Sequence, residues 1–203
     1  MKLESLRELF HEELQDLYSA EKMIIKALPK VTEKASSPKL KSAINYHLEQ
    51  TRGHVQRLDQ IFDQIRGVDR DDKKYKGIEG IIKENESMLK EDAESEVCDA
   101  AIIAGAQRVE HYEISAYGTV RNYAKLLGQQ QWAQILQQTL DEEKQTDAKL
   151  NGLAEHINVE AKAAYSRPKR ESAGKAGRFF LCAEHVRQLG GESPPLNLVE
   201  VKG

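Results

Sequence analysis

Four stretches of this chain repeat apolar residues at three- and four-residue steps, and the lengths of the connectors between them restrict how the stretches can be arranged. The first runs from about Leu3 to Ala35, with Leu6, Phe10, Leu14, Leu17, Ile24 and Leu28 on one helical face. Pro29 removes a backbone hydrogen bond and is expected to kink this helix near its last turns. The Ser36-Ser37-Pro38 punctuation is short enough to force an antiparallel return into a second stripe: Leu40, Ile44, Leu48, Val55, Leu58, Phe62 and Ile65, ending at Gly67. A third helix is expected from about Glu94 to Leu127 and a fourth from about Gln130 to Ala161. Gly128 between them is the expected residue just past a helix end in a second tight hairpin. The second and third helices, by contrast, are separated by about 27 residues from Gly67 to Glu94, in which Gly77 to Lys90 forms a shorter amphipathic stretch with Ile78, Ile81, Ile82, Met88 and Leu89.

Two hairpins joined by one long, partly helical crossover is the connectivity of ferritin-like four-helix bundles; an up-down-up-down bundle has three short loops. The fold class is therefore all-α, and runs of Glu, Lys, Gln, Ala and Leu support it while alternating β-branched strands are hard to find. Residues 1–162 are read as the bundle domain. Residues 163–203 are a basic, Pro- and Gly-containing tail without a sustained period, expected to be disordered apart from a short helix around Phe179, Phe180, Leu181 and Val186. With a net charge of −3 the chain has no global electrostatic reason to seek nucleic acid or a membrane surface. No apolar run approaches the roughly 20 residues of a bilayer span, and the opening MKLESLRELF is charged where a signal peptide is apolar. Cys98 and Cys182 form neither a CxxC nor a disulfide framework. A cytoplasmic protein is expected.

Acidic residues interrupt the stripes at mid-helix. A carboxylate moved from water into a bundle core costs several kcal/mol unless it is paired or binds a metal. Folding the first hairpin at Ser36-Ser37 sets Glu21 level with about position 52, between Gln50 and His54, because both helices rise about 1.5 Å per residue. Folding the second at Gly128 sets Glu110 opposite about position 146 and Glu113 opposite about 143, where Asp147 and Glu143 stand. Within each helix the pairs Glu110 and Glu113, Glu143 and Asp147, and Gln50 and His54 are three or four residues apart and share a face. Such a level of acids from several helices is what a dinuclear iron or manganese site needs, since both ions take carboxylate oxygen with some imidazole. Ferritin-like bundles supply one Glu from each of two helices and Glu-x-x-His from each of the other two. Here the fourth helix offers Glu-x-x-x-Asp, and Gln50 stands where a carboxylate would be expected.

At these residues the chain resembles the YciE/YciF stress-protein family, a branch of the ferritin-like superfamily. The resemblance is carried by DLYSAEK at 16–22, HLEQTRGHVQRLD at 47–59, QRVEHYEISAYGT at 107–119 and LDEEKQTDAKL at 140–150, four blocks in order covering residues 1 to about 162. It implies a ferritin-like bundle with an added crossover helix, a homodimer, and a dinuclear metal site, without implying a particular reaction. Carried over by position, Glu21, Glu110, Glu113, Glu143 and Asp147 match the family's acidic positions, and members often have a second Glu at Gln50.

Other readings of the same residues stay open. Glu110 with Glu113, and Glu143 with Asp147, also read as solvated ridges; His54 reads equally as a satisfied interior histidine. His47 and Glu49 read as supporting or surface groups, His111 as a hydrogen-bonded histidine, and Tyr117 as core. No nucleophile elbow, phosphate loop or HExxH is present, which removes hydrolase readings. Two function classes remain. One is a dinuclear centre, with Glu21, His54, Glu110, Glu113, Glu143 and Asp147 holding the ions, that reacts with dioxygen or peroxide under stress. The other is a metal-free helical scaffold that dimerises without catalysis, its inward acids protonated or paired with Arg57, Arg108 or Lys144.

Overall fold

Ser5 starts the first helix, α1 (Leu6–Lys34): its side chain accepts from the Glu8 N–H while the Glu8 carboxylate accepts from the Glu4 N–H at 2.6 Å, so two otherwise unpaired donors at the helix start are satisfied. The computed structural model describes residues 3–65, 70 and 75–164, and among them are four more helices and no strand: α2 (Pro38–Phe62), α3 (Lys76–Met88), α4 (Ser95–Leu126) and α5 (Gln130–Ala164). α1 stays helical through Pro29 to Lys34. α2 ends at Phe62, short of Gly67, because the Gln64 and Ile65 N–H groups turn back to the Ile61 and Phe62 carbonyls, a tightening that stops the helix while leaving Ile65 on the core. Gly128, at φ 75°, makes the α4–α5 turn. The tail read beyond 162 lies outside the described residues from 165 onward.

Contacts fix the helix directions. Phe10 near the start of α1 stacks on Trp132 near the start of α5, and the Lys34 carbonyl at the other end of α1 meets Cys98 at the start of α4, so α1 runs antiparallel to α4. Trp132 donates to Gln64 and Thr146 faces His47, so α2 runs antiparallel to α5. α2 and α4 therefore point the same way, and the chain between them must return along the bundle. α3 does this on the α1–α4 side: Ile78, fully buried, packs with Ala20, Ile24 and Val109. Asn85 of α3 donates to the Gly105 carbonyl at 3.1 Å, and a Cβ at position 105 would fall 2.6 Å from the Asn85 oxygen, so glycine is what lets the Asn85 side chain lie against α4 there.

The turn between α1 and α2 is clamped from α4. Asp99, 3% exposed, accepts from the Ser36 N–H at 2.7 Å, the Ser36 hydroxyl at 2.6 Å and the Ser37 N–H at 2.8 Å. Three donors on one buried carboxylate satisfy turn N–H groups that lie between two helices.

The core is graded along the bundle axis. Around Phe10, Phe62, Tyr117 and Trp132 it is aromatic and filled; toward the α1–α2 turn it is built of Leu40, Ile44, Ile102, Ile103, Leu150 and Ile157. The acidic residues lie between the two.

Candidate metal centre

Five of the six residues expected to hold metal come together at one depth. Glu21 of α1, His54 of α2, Glu113 of α4 and Glu143 of α5 are 0% exposed, and Glu110 is 2% exposed. Their ligand-capable atoms form two groups: His47, Glu110, Glu113 and Glu143 in one, Glu21, His54 and Glu143 in the other, with the atoms of each group within 4.8 Å of one another. Glu143 belongs to both. A carboxylate with two oxygens facing two groups of donors is the arrangement of a bridge between ions about 3.5–4 Å apart.

Asp147 is not among them. Four residues along a helix turn about 40° past a full turn, and that rotation carries Asp147 out of the bundle toward α4, where it accepts from Gln107 and Asn151, both at 3.3 Å, and lies 3.4 Å from His111. Its place is taken by His47, which the sequence reading assigned to a supporting or surface role. His47 and His54 are seven residues apart, within about 20° of two full turns, and that spacing on the Ile44, Thr51 and Leu58 stripe was the available signal. Gln50 sits only at the margin of the cluster, half-buried, with its oxygen unpartnered among the described residues.

Each histidine presents one nitrogen inward and has the other engaged by α5. His54 Nε2 lies 3.0 Å from Glu142 Oε2, while Nδ1 lies 2.8 Å from Glu143 and 3.3 Å from Glu21. His47 Nδ1 is 3.5 Å from the Thr146 hydroxyl, while Nε2 is 3.4 Å from Glu110. Glu142, absent from the sequence-based set, is in turn gripped by both terminal nitrogens of Arg57. A carboxylate on the outer nitrogen of an inward-facing imidazole is the usual support of a metal-binding histidine. The Tyr117 hydroxyl donates to Glu21 Oε1 at 2.5 Å and fixes that carboxylate from α4.

The electrostatics follow from this crowding. Burial, then the Glu143 charge, pushes Glu110 and Glu113 well above the ordinary carboxylate range, and burial also raises Glu21. Burial disfavours a charged His54, but Glu21 and Glu143 outweigh it and push its pKa up to about 10. Burial likewise opposes a charged Glu143, yet the His54 contact holds it below its ordinary value. For His47 burial wins and the imidazole is held toward neutral. Outside the cluster, Glu142 is lowered to about 2: burial is overcome by Arg57 and His54.

The donor set fits a pair of hard divalent ions. Both oxygens of Glu113 and Glu143, one oxygen each of Glu21 and Glu110, His47 Nε2 and His54 Nδ1 are buried and, among the described residues, have no partner beyond one another. Buried polar atoms are otherwise almost always satisfied. Four carboxylates also match the charge of two divalent ions, with two neutral imidazoles completing an oxygen-rich set of the kind iron and manganese accept.

Comparison with known proteins places this chain among relatives. The chain matches the family model described as Domain of unknown function (DUF892) over residues 5–164. It is 41% identical to Protein YciF of Escherichia coli K12 over 163 residues, covering 80% of this chain and 98% of that protein. The crystal structure of the E. coli stress protein YciF is similar with a TM-score of 0.74 at 40% identity, covering 77% of this chain and 98% of the other. YcfI of Rhodopseudomonas palustris is similar with a TM-score of 0.71 at 39% identity, covering 74% and 95%. A protein of Xanthomonas campestris shares the fold at 21% identity, with a TM-score of 0.63 over 80% and 99% of the two chains.

Proposed function

The chain belongs to the YciE/YciF stress-protein family, that of the domain of unknown function DUF892, and from that premise we propose that its bundle holds a dinuclear iron or manganese centre serving dioxygen or peroxide chemistry under stress. The observation that carries the reading is the sharing of Glu143 between two groups of buried, unpartnered donors drawn from four helices. Glu21 and His54 would hold one ion, His47, Glu110 and Glu113 the other, and Glu143 would bridge them. When bound, such a pair supplies two-electron redox capacity toward an oxygen species.

The chain's own residues do the rest. Arg57 holds Glu142, and Glu142 would keep the Nε2–H of His54, leaving Nδ1 as the inward nitrogen that would give up its proton to an ion. Tyr117 keeps one Glu21 oxygen engaged and the other free. The aromatic side of the core closes the cluster against water, and low local polarity strengthens each charge interaction inside it.

The test is elemental analysis of full-length protein purified without chelator, beside a Glu143→Gln variant. About two iron or manganese ions per chain in the parent, and loss of both in the variant, is the expected result, because a bridge serves both ions. Metal-free parent protein that stays metal-free after exposure to iron(II) and manganese(II) would refute the proposal and leave the scaffold reading.

A further inference from the structure

The half of the bundle on the α1–α2 turn side of the carboxylate cluster is hollow. Where the other half is filled by aromatic rings, this one has Ala27, Ala43, Ala101, Gly105 and Ala106 facing a cavity of about 670 Å³. Protein interiors leave few voids larger than a water molecule, and small-molecule pockets occupy about 300–1,000 Å³. A space of this size is built rather than left over. Its walls are mainly aliphatic, with Ile24, Leu28, Ile44, Ile82, Ile102 and Leu150 among them.

The two ends of the cavity differ. At the inner end stand His47 and Glu110, both more than nine-tenths buried, each with an atom lacking a hydrogen-bond partner among the described residues. At the outer end stand the exposed lysines Lys30, Lys34 and Lys90, against Glu33 and Glu86, the latter 3.4 Å from Lys30, while Lys149 lies farther in along the wall with its Nζ 4.9 Å from the Tyr46 ring. From Ala101 to Glu110 the cavity follows α4 for a length of about 14 Å at the α-helical rise.

We propose that this chamber binds a single-chain, fatty-acid-type amphiphile, with its aliphatic tail inside and its carboxylate at the lysine mouth. A polar occupant would leave its own hydrogen bonds unmet against aliphatic walls. An anionic head placed inward would be stripped of water beside the buried His47 and Glu110, whereas at the mouth it stays hydrated and meets an excess of ammonium groups. The tail therefore points at the carboxylate cluster. Binding itself requires no ion in that cluster.

Calorimetric titration of chelator-treated, full-length protein with octanoate, decanoate and dodecanoate below their micelle concentrations tests this. Saturable binding of one molecule per chain is expected, tightening about fourfold per added methylene, the fold-change equivalent of roughly 0.8 kcal/mol. Ala106→Phe should weaken dodecanoate at least tenfold by filling the chamber. Because a core change can upset folding, the surface pair Lys34→Glu and Lys90→Glu provides a second arm: it should weaken dodecanoate several-fold and leave dodecanol unchanged. Absence of saturable binding, tighter binding of dodecanol than of dodecanoate, or indifference to the charge reversal each overturns the proposal. Metal stoichiometry measured on the same preparations tells a failure here from a failure of the dinuclear reading.

Discussion

Glu113→Gln separates what the carboxylate cluster contributes to stability from what it contributes to ion binding. Glu113 is fully buried, neither of its oxygens has a hydrogen-bond partner among the described residues, and oxygens of Glu110 and Glu143 lie within 4.8 Å of it. Ionising Glu113 beside a second carboxylate at that separation costs about 3.5 kcal/mol at an effective dielectric constant near 20, a cost the stripped protein meets either as repulsion or by holding a proton that the unfolded chain gives up. The amide removes this cost at nearly constant shape and gives its N–H groups unpartnered carboxylate oxygens to donate to. Stripped of metal at pH 8, the variant should therefore be more stable than the parent by about 2–3 kcal/mol, a Tm rise of roughly 5–10 °C for a domain of this size. Manganese(II) at 100 times Kd should stabilise the parent by about 2.7 kcal/mol and the variant far less. Differential scanning calorimetry with and without manganese reads both effects. A stripped variant that melts below the parent, with both proteins responding equally to manganese, would refute the assignment of Glu113 as an electrostatically strained ligand.

Other expectations bear on separate parts of the molecule. Asp99→Ala removes three short hydrogen bonds from the α1–α2 turn and should cost about 3–5 kcal/mol of stability in urea unfolding; a loss below about 1 kcal/mol would mean that water replaces them. Because burial raises Glu110 and Glu113, the folded, metal-stripped protein holds protons that the unfolded chain gives up above about pH 4.5. Those two groups then contribute a loss of stability with rising pH, starting above that value and reaching about 1.4 kcal/mol per pH unit for each proton. Metal-loaded protein should lack this contribution, since bound ions keep the carboxylates deprotonated, and identical pH profiles for the two forms would count against ion binding here. Arg57→Met unfastens Glu142 from behind His54 and should weaken metal affinity about 10–100-fold in chelator competition, while an unchanged affinity would show that packing alone orients the imidazole.

The four long stripes and their unequal connectors were legible because helical periodicity and turn chemistry are local: Ser37 with Pro38, and Gly128, mark the two hairpins in the sequence itself. Reflection about those hairpins also paired Glu113 with Glu143 and set Glu21 level with the turn between Gln50 and His54, since a constant rise per residue converts chain position into height. Height, however, is only one of the two coordinates of a side chain on a helix. The other is rotation about the axis. It decided that Asp147 turns toward Gln107 and Asn151, that His47 turns in, and that Glu142 reaches behind His54 to Arg57. Rotation is set by how four helices and α3 pack together, where residues distant in sequence choose which face is inward. The Asn85–Gly105 approach, the clamp of Asp99 on Ser36, and the hollow beside Glu110 are of the same kind. Each depends on the volume left between helices, a quantity that side chains on different helices determine jointly and no single stretch of sequence contains.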